Sequence, residues 1–348
     1  MNETDMITPF QGFLTELGLR DENANFILNN WHFSVGTLKV LQKSVLDSFK
    51  ATEFNNDVCL AAVGSYGRLE ASSSSDLDYL LIYKGEENES SKFISFDDKI
   101  SQILDEKGIK KPSGIGKTFV NPICINKLTT NIGGNKDKTQ HLTWRVLMLT
   151  ESKCLYNPTL YEQILSRIYG HYIKTTKEKK GYPRALINEL IRYYRTVAVD
   201  YLYKVEEINK PWALRNFKLR HSRKFWFFTN MALILHRFRE LSDTVSDDCY
   251  DRLFDEIRLS PIEKLAIVLL ENDKKDLIMP ITLYNEFLGM INDPNIREEM
   301  SEIDYGSRYA NPTFSKLRQK SEKFHETLLG LFDEFEIWDD LIYNLFVL

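Results

Sequence analysis

The residues in this chain best suited to chemistry are two aspartates in the run Asp76-Leu77-Asp78, with Gly64-Ser65 ten intervening residues upstream. On an extended strand, side chains i and i+2 point to one face, roughly 6.5–7 Å apart. Folding gains nothing from two carboxylates so placed, because each raises the other's pKa. A divalent cation between them removes the repulsion. Mg²⁺ (or Mn²⁺) takes hard oxygen ligands, usually one or two carboxylates together with substrate phosphates, so the pair suits a nucleoside triphosphate site. Gly64 and Ser65 supply the other half: glycine lets the backbone come close to a phosphate, and amides with a hydroxyl at a strand-to-helix turn can hold one.

Two short strands must position these groups. Val58, Cys59, Leu60, Ala61, Ala62 and Val63 form an uncharged run bounded by Gly64, and a run that short suits a buried strand. After Gly64-Ser65-Tyr66-Gly67-Arg68 and a serine-rich loop at 72–75, the stretch 76–83 is rich in apolar and aromatic residues, as in a sheet covered on at least one face. The two strands are expected to be neighbours, with both carboxylates facing a cleft.

Gly64-Ser65, ten residues, then Asp76-Leu77-Asp78 resembles the signature of the DNA polymerase β-type nucleotidyltransferase superfamily. The string Gly-Ser-Tyr-Gly-Arg-Leu-Glu at 64–70, followed by Ser75-Asp76-Leu77-Asp78, is similar to the branch that includes the bacterial PII uridylyltransferases. The resemblance implies an enzyme that moves a nucleoside monophosphate from a triphosphate such as ATP to an acceptor, whether protein, RNA or small molecule. It implies that Asp76 and Asp78 bind Mg²⁺ and that Gly64 and Ser65 hold the β and γ phosphates. Arg68 would add a charge-assisted contact, unless it pairs with Glu70 or Asp76. A rival expectation is a catalytically degenerate regulator that binds nucleotide without turning it over, or a partner-docking protein.

The superfamily also implies a helix before the Gly-Ser strand. The segment 8–50 supplies one, with an N-cap region at Asp21-Glu22-Asn23 and Phe26, Leu28, Trp31, Phe33, Leu38, Leu41, Val45 and Phe49 near helical spacing. Many members carry a third acid on a later strand. Here the candidate strand, 117–128, offers Asn121 and Asn126 but no Asp or Glu. The nearest acids, Asp137 and Glu151, flank a helical stretch at 139–150, and Asp137 reads as a solvated charge near its N-terminus. A cleft with two protein carboxylates is therefore expected.

The remainder of the chain frames the site. A polar loop at 84–92 leads to a helix at 95–107, ended by Gly108. Gly114-Ile115-Gly116-Lys117-Thr118 lacks the glycine that a P-loop needs five residues before Gly116, since that position is Lys111, so it reads as a turn into a strand at 118–125. Past Asn157-Pro158 helical patterns dominate, the first at 184–207 and a second running to about 239 after the break at Lys210-Pro211. Residues 183–240 hold twelve Lys/Arg against five Asp/Glu, a local balance of +7 in a chain of −5. Arg192, Arg195 and Lys218, with Arg220 and Lys224, are expected to form an anion-binding wall facing Ser65.

The fold class that follows is α+β: a small mixed-sheet nucleotidyltransferase domain at 1–157, then an all-helical domain at 158–348. A length of 348 residues agrees with two domains. The net charge of −5 argues against a general nucleic-acid coat, though not against one basic cleft. Four scattered cysteines read as reduced thiols of a cytoplasmic protein, the start lacks the basic and apolar regions of a secretory leader, and the most apolar stretch, near 225–235, is too short to span a bilayer. The apolar end at 341–348 suits docking on its own domain or on a second copy in a homo-oligomer.

Overall fold

The computed structural model describes residues 3–50, 55–112, 121–178, 181–206, 211–238, 247–303, 305–306 and 308–335. The fold is α+β, a small four-stranded mixed sheet accompanied by many helices. Strands β1 (Val58–Val63), β2 (Asp78–Tyr83), β3 (Ile123–Cys124) and β4 (Ser152–Tyr156) lie in the order β3-β2-β1-β4. β1 pairs antiparallel with both β2 and β4, and β2 pairs parallel with β3. Every residue of β1 is buried, which explains its unbroken uncharged sequence: a central strand covered on both faces has no polar side to alternate with.

The chain divides into two compact units, one of Asn29–Lys179 with Arg258–Ser260, the other of Met1–Leu28, Lys180–Ile257 and Pro261–Leu348. The boundary expected at 157/158 thus moves. The helix Pro158–Glu178 packs on β1, β4 and the helix Thr139–Thr150, burying Leu160, Tyr161, Ile164, Leu165 and Ile168, so it completes the sheet unit. The N-terminal helix Glu3–Glu16 packs on the helix Pro261–Glu271 and belongs to the other unit.

The helical stretch expected at 8–50 is two helices, Glu3–Glu16 and Asp21–Phe49, broken at Gly18, whose φ of +71° a residue with a side chain rarely adopts. Trp31, Val35, Leu38, Leu41, Val45 and Phe49 form the buried stripe of the second helix. Phe26 and Phe33, assigned to the same stripe from sequence, are each 37 % exposed. Helices at Thr139–Thr150 and Arg184–Glu206 match expectation. The long helix after Pro211 is Trp212–Lys218, a π-helical turn at Leu219–Arg223, and Lys224–Arg237. The P-loop look-alike at 114–118 and the apolar end at 341–348 lie outside the described residues. Among those described, no helix is long and apolar enough to cross a membrane.

Candidate functional site

The site begins where β1 ends. Val63 pairs with Asp78, so the chain leaves the sheet beside the first residue of β2 and turns at once through Gly64–Gly67. Gly64 has a φ of +69°, and a Cβ built on it would stand 3.3 Å from Asp78 Oδ2. A side chain there would be strained and would press on the carboxylate, so glycine serves both the turn and the approach to Asp78. Gly67 meets a stricter limit: a Cβ on it would overlap the backbone carbonyl of Glu151, just before β4. Both glycines are fixed by where the backbone must pass.

Asp76 lies two residues ahead of Asp78, in an isolated parallel bridge with Lys110; the Leu77 amide donates to the Lys110 carbonyl at 2.9 Å. Leu77 and Tyr79 are buried, and the Tyr79 hydroxyl donates to Asp97 Oδ1 at 2.7 Å from the core side. The alternation of extended backbone sends Asp76 and Asp78 to the other side, where both are partly exposed. Asp76 also acts on the glycine turn. Burial pushes the Tyr66 hydroxyl pKa up to about 12, a hydrogen bond with Thr37 opposes the rise, and the Asp76 charge adds to it. Gly64 and Asp78 are therefore brought together, with Ser65 and Tyr66 next in the turn and Asp76 two residues before Asp78.

The loop joining them closes on itself. Ser72 N donates to Ser75 Oγ and Ser75 N to the Ser72 carbonyl, at 3.0 and 2.9 Å, while the Ser72 and Ser74 hydroxyls lie 3.0 Å apart. The helix Asp21–Phe49 anchors its start: Asn30 Nδ2 donates to the Glu70 carbonyl, and the buried Ser34 hydroxyl accepts from Ala71 N, both at 3.0 Å. Serine is frequent here because short hydroxyls satisfy a tight turn locally.

Arg68 and the two outlying acids are held in ion pairs. Arg68, expected at a phosphate, is 5 % exposed and pairs with Glu70 and with Glu151. The sequence offered Glu70 as its partner; Glu151, 83 residues away, could not be read from local spacing. Glu151 is buried in that pair, which leaves it poorly suited to act as a base. Asp137 is not a solvated charge either. Its side chain is 2 % exposed, pairs bidentately with Arg145 at 2.8 Å on both oxygens, and accepts from Gly133 N. Burial works against its ionisation, but Arg145 and the Gly133 amide outweigh it and hold the pKa below the usual carboxylate range. Arg192, Arg195 and Lys218 belong to the other unit, all exposed, with Arg192 paired to Glu189.

Could the inner group hold a metal? Two carboxylates at the start of one strand, beside a glycine that adds no side chain against Asp78, fit a magnesium ion that takes its remaining oxygens from phosphates and water. Among the described residues no group of three or more His, Cys, Asp or Glu side chains is placed to hold one. Asn121 is exposed and Asn126 opens a short helix; both are neutral amides and supply no carboxylate.

Residues 36–116 match the family model described as "Putative nucleotidyltransferase DUF294". The match spans the Gly-Ser turn, the serine loop and the paired aspartates. Its description is broader than the uridylyltransferase branch that the 64–78 string resembles. A search of curated proteins gave no match.

Proposed function

We propose that this chain, whose residues 36–116 match a family model described as "Putative nucleotidyltransferase DUF294", transfers a nucleoside monophosphate from a nucleoside triphosphate to an acceptor, with Mg²⁺ or Mn²⁺. The observation that carries this reading is the approach of Gly64 to Asp78, with Asp76 one pleat earlier on the same face. Asp76 and Asp78 hold the metal. When bound, it neutralises the triphosphate and stabilises charge at the reacting phosphorus. The backbone at Gly64 and the Ser65 hydroxyl hold the β and γ phosphates. The acceptor's nucleophilic atom bonds to the α-phosphorus as the α–β bridging bond breaks. Pyrophosphate leaves with that electron pair, and the acceptor's proton passes to solvent.

Glu151 takes no part as a base in this scheme, because Arg68 holds it in the core. Screening four radiolabelled triphosphates with Mg²⁺ or Mn²⁺ against cell extract tests the reading. Label transferred to an extract component, and lost with Asp78→Asn, supports it. A second reading, a nucleotide-binding regulator without turnover, is favoured by the lack of a third acid beside the pair among the described residues. Tight triphosphate binding with no pyrophosphate released under any metal would select it.

A further inference from the structure

Beside the aspartates lies a cavity of about 500 Å³, within the roughly 300–1,000 Å³ range of ligand pockets. One wall is a second stripe of the helix Asp21–Phe49: Phe33, Gly36, Thr37 and Val40, at the i, i+3, i+4, i+7 spacing of a single helix face. The buried stripe of the same helix already packs inward, with the Phe49 and Tyr156 rings 5.1 Å apart, and this second stripe lies outside it. Phe33 and Val40 remain 37 % and 48 % exposed.

Gly36 stands in the middle of that wall. Glycine in a helix interior costs about 0.5–1 kcal/mol relative to alanine. Close packing can justify such a cost, yet nothing lies within 4 Å of the position a Cβ would take on Gly36. The missing side chain leaves the cavity open instead. Another part of the lining comes from the capped end of the helix Ile94–Glu106, where the Ile109 amide donates to the Leu104 carbonyl at 2.9 Å and Gly108 takes a φ of +65°. That turn brings Lys107 and Lys110 to the cavity.

Three contacts tie the cavity to the paired carboxylates. Lys110 forms the bridge with Asp76, Ser75 directly precedes Asp76, and Tyr66 belongs to the Gly64–Gly67 turn; all three line the cavity. The Tyr66 and Phe33 rings lie 6.3 Å apart, tilted by 41°. Aromatic and aliphatic walls, a few hydroxyls and two lysines make a chemistry suited to a planar heteroaromatic molecule attached to an anion.

We propose that this cavity receives the base and ribose of the nucleotide, with its phosphates running past Lys110 toward Asp76 and Asp78. The proposal rests on the nucleotidyl-transfer reading. Phe33 supplies an exposed aromatic surface for the base, and the open face of Gly36 gives the ring room to lie against the helix.

The test is binding of the four nucleoside triphosphates with Mg²⁺, and of the four phosphate-free nucleosides without metal, to wild type, Gly36→Ala, Gly36→Leu and Phe33→Ala. Gly36→Leu should weaken binding of the preferred triphosphate roughly tenfold or more. Phe33→Ala should weaken it about fivefold or more, the loss of one stacked base. The preferred nucleoside should bind weakly, lose binding in Gly36→Leu, and keep it in Asp78→Asn. Urea unfolding of both Gly36 variants, at least as resistant as wild type, excludes misfolding. Wild-type triphosphate affinity in Gly36→Leu overturns this proposal alone; a wild type that binds no triphosphate overturns the nucleotidyl reading and this one with it.

Discussion

Gly67 and Glu151 meet backbone to backbone: a Cβ on Gly67 would overlap the Glu151 carbonyl oxygen. Neither partner is a flexible side-chain end, so the glycine turn and the start of β4 can approach only if position 67 has no side chain. One residue further on, Arg68 reaches the Glu151 carboxylate. The turn that presents Gly64 and Ser65 is thus fastened to the edge of the sheet by a close approach and an ion pair.

Gly67→Ala should destabilise the fold by about 1–3 kcal/mol, the usual cost of overpacking. Gly36→Ala, where the space is open, should stabilise it by about 0.5–1 kcal/mol. Urea unfolding of both variants beside wild type checks the pair. Equal midpoints would show that the two glycines do not differ as described.

Asp76→Asn and Asp78→Asn should leave the unfolding midpoint near wild type and reduce metal-dependent turnover on the order of 10²-fold or more, because an amide cannot replace the charge held at a metal. The measurement is label transfer at saturating triphosphate across a Mg²⁺ and Mn²⁺ series. Wild-type turnover in either variant removes the assignment.

Glu151→Gln should act on stability before chemistry. Arg68 would stay buried with Glu70 as its remaining carboxylate partner among the ion pairs described. Breaking one side of a buried pair typically costs roughly 3–5 kcal/mol, and Glu70 should hold the loss to the lower end. A loss of turnover with an unchanged unfolding curve would instead mark Glu151 as a base.

His221 gives a pH prediction. Its ring is 1 % exposed, stacked on Phe287 at 4.6 Å and on Phe324 at 5.1 Å. Burial pushes its pKa down to about 3; a hydrogen bond to the Phe217 carbonyl opposes this, and the Lys224 and Arg220 charges reinforce it. Between pH 6.5 and about 3 the unfolded chain binds a proton that the fold excludes. Stability should therefore fall as pH drops through that window, by up to about 1.4 kcal/mol per unit from this group. His221→Phe should flatten the difference between urea midpoints at pH 7 and pH 5. An undiminished difference would assign the acid sensitivity to other groups.

The sequence by itself determined what depends on near neighbours. The uncharged run of β1, the Gly-Ser turn, the strand bearing Asp78 and the helix Thr139–Thr150 were legible because strand and helix patterns are written in adjacent side chains. The paired aspartates were legible for the same reason, being one pleat apart. Tertiary structure decided whatever depends on distant chain. Arg68 found Glu151, Asp137 was taken into the core by Arg145, and the helix Pro158–Glu178 joined the sheet unit because its apolar face had β1 and β4 to cover. The stripe of Phe33, Gly36 and Val40 shows the limit most directly. Helical spacing reveals that a face is apolar or lacks a side chain, but only segments brought from elsewhere, here the 107–110 turn and the serine loop, decide whether that face is packed shut or left as a cavity.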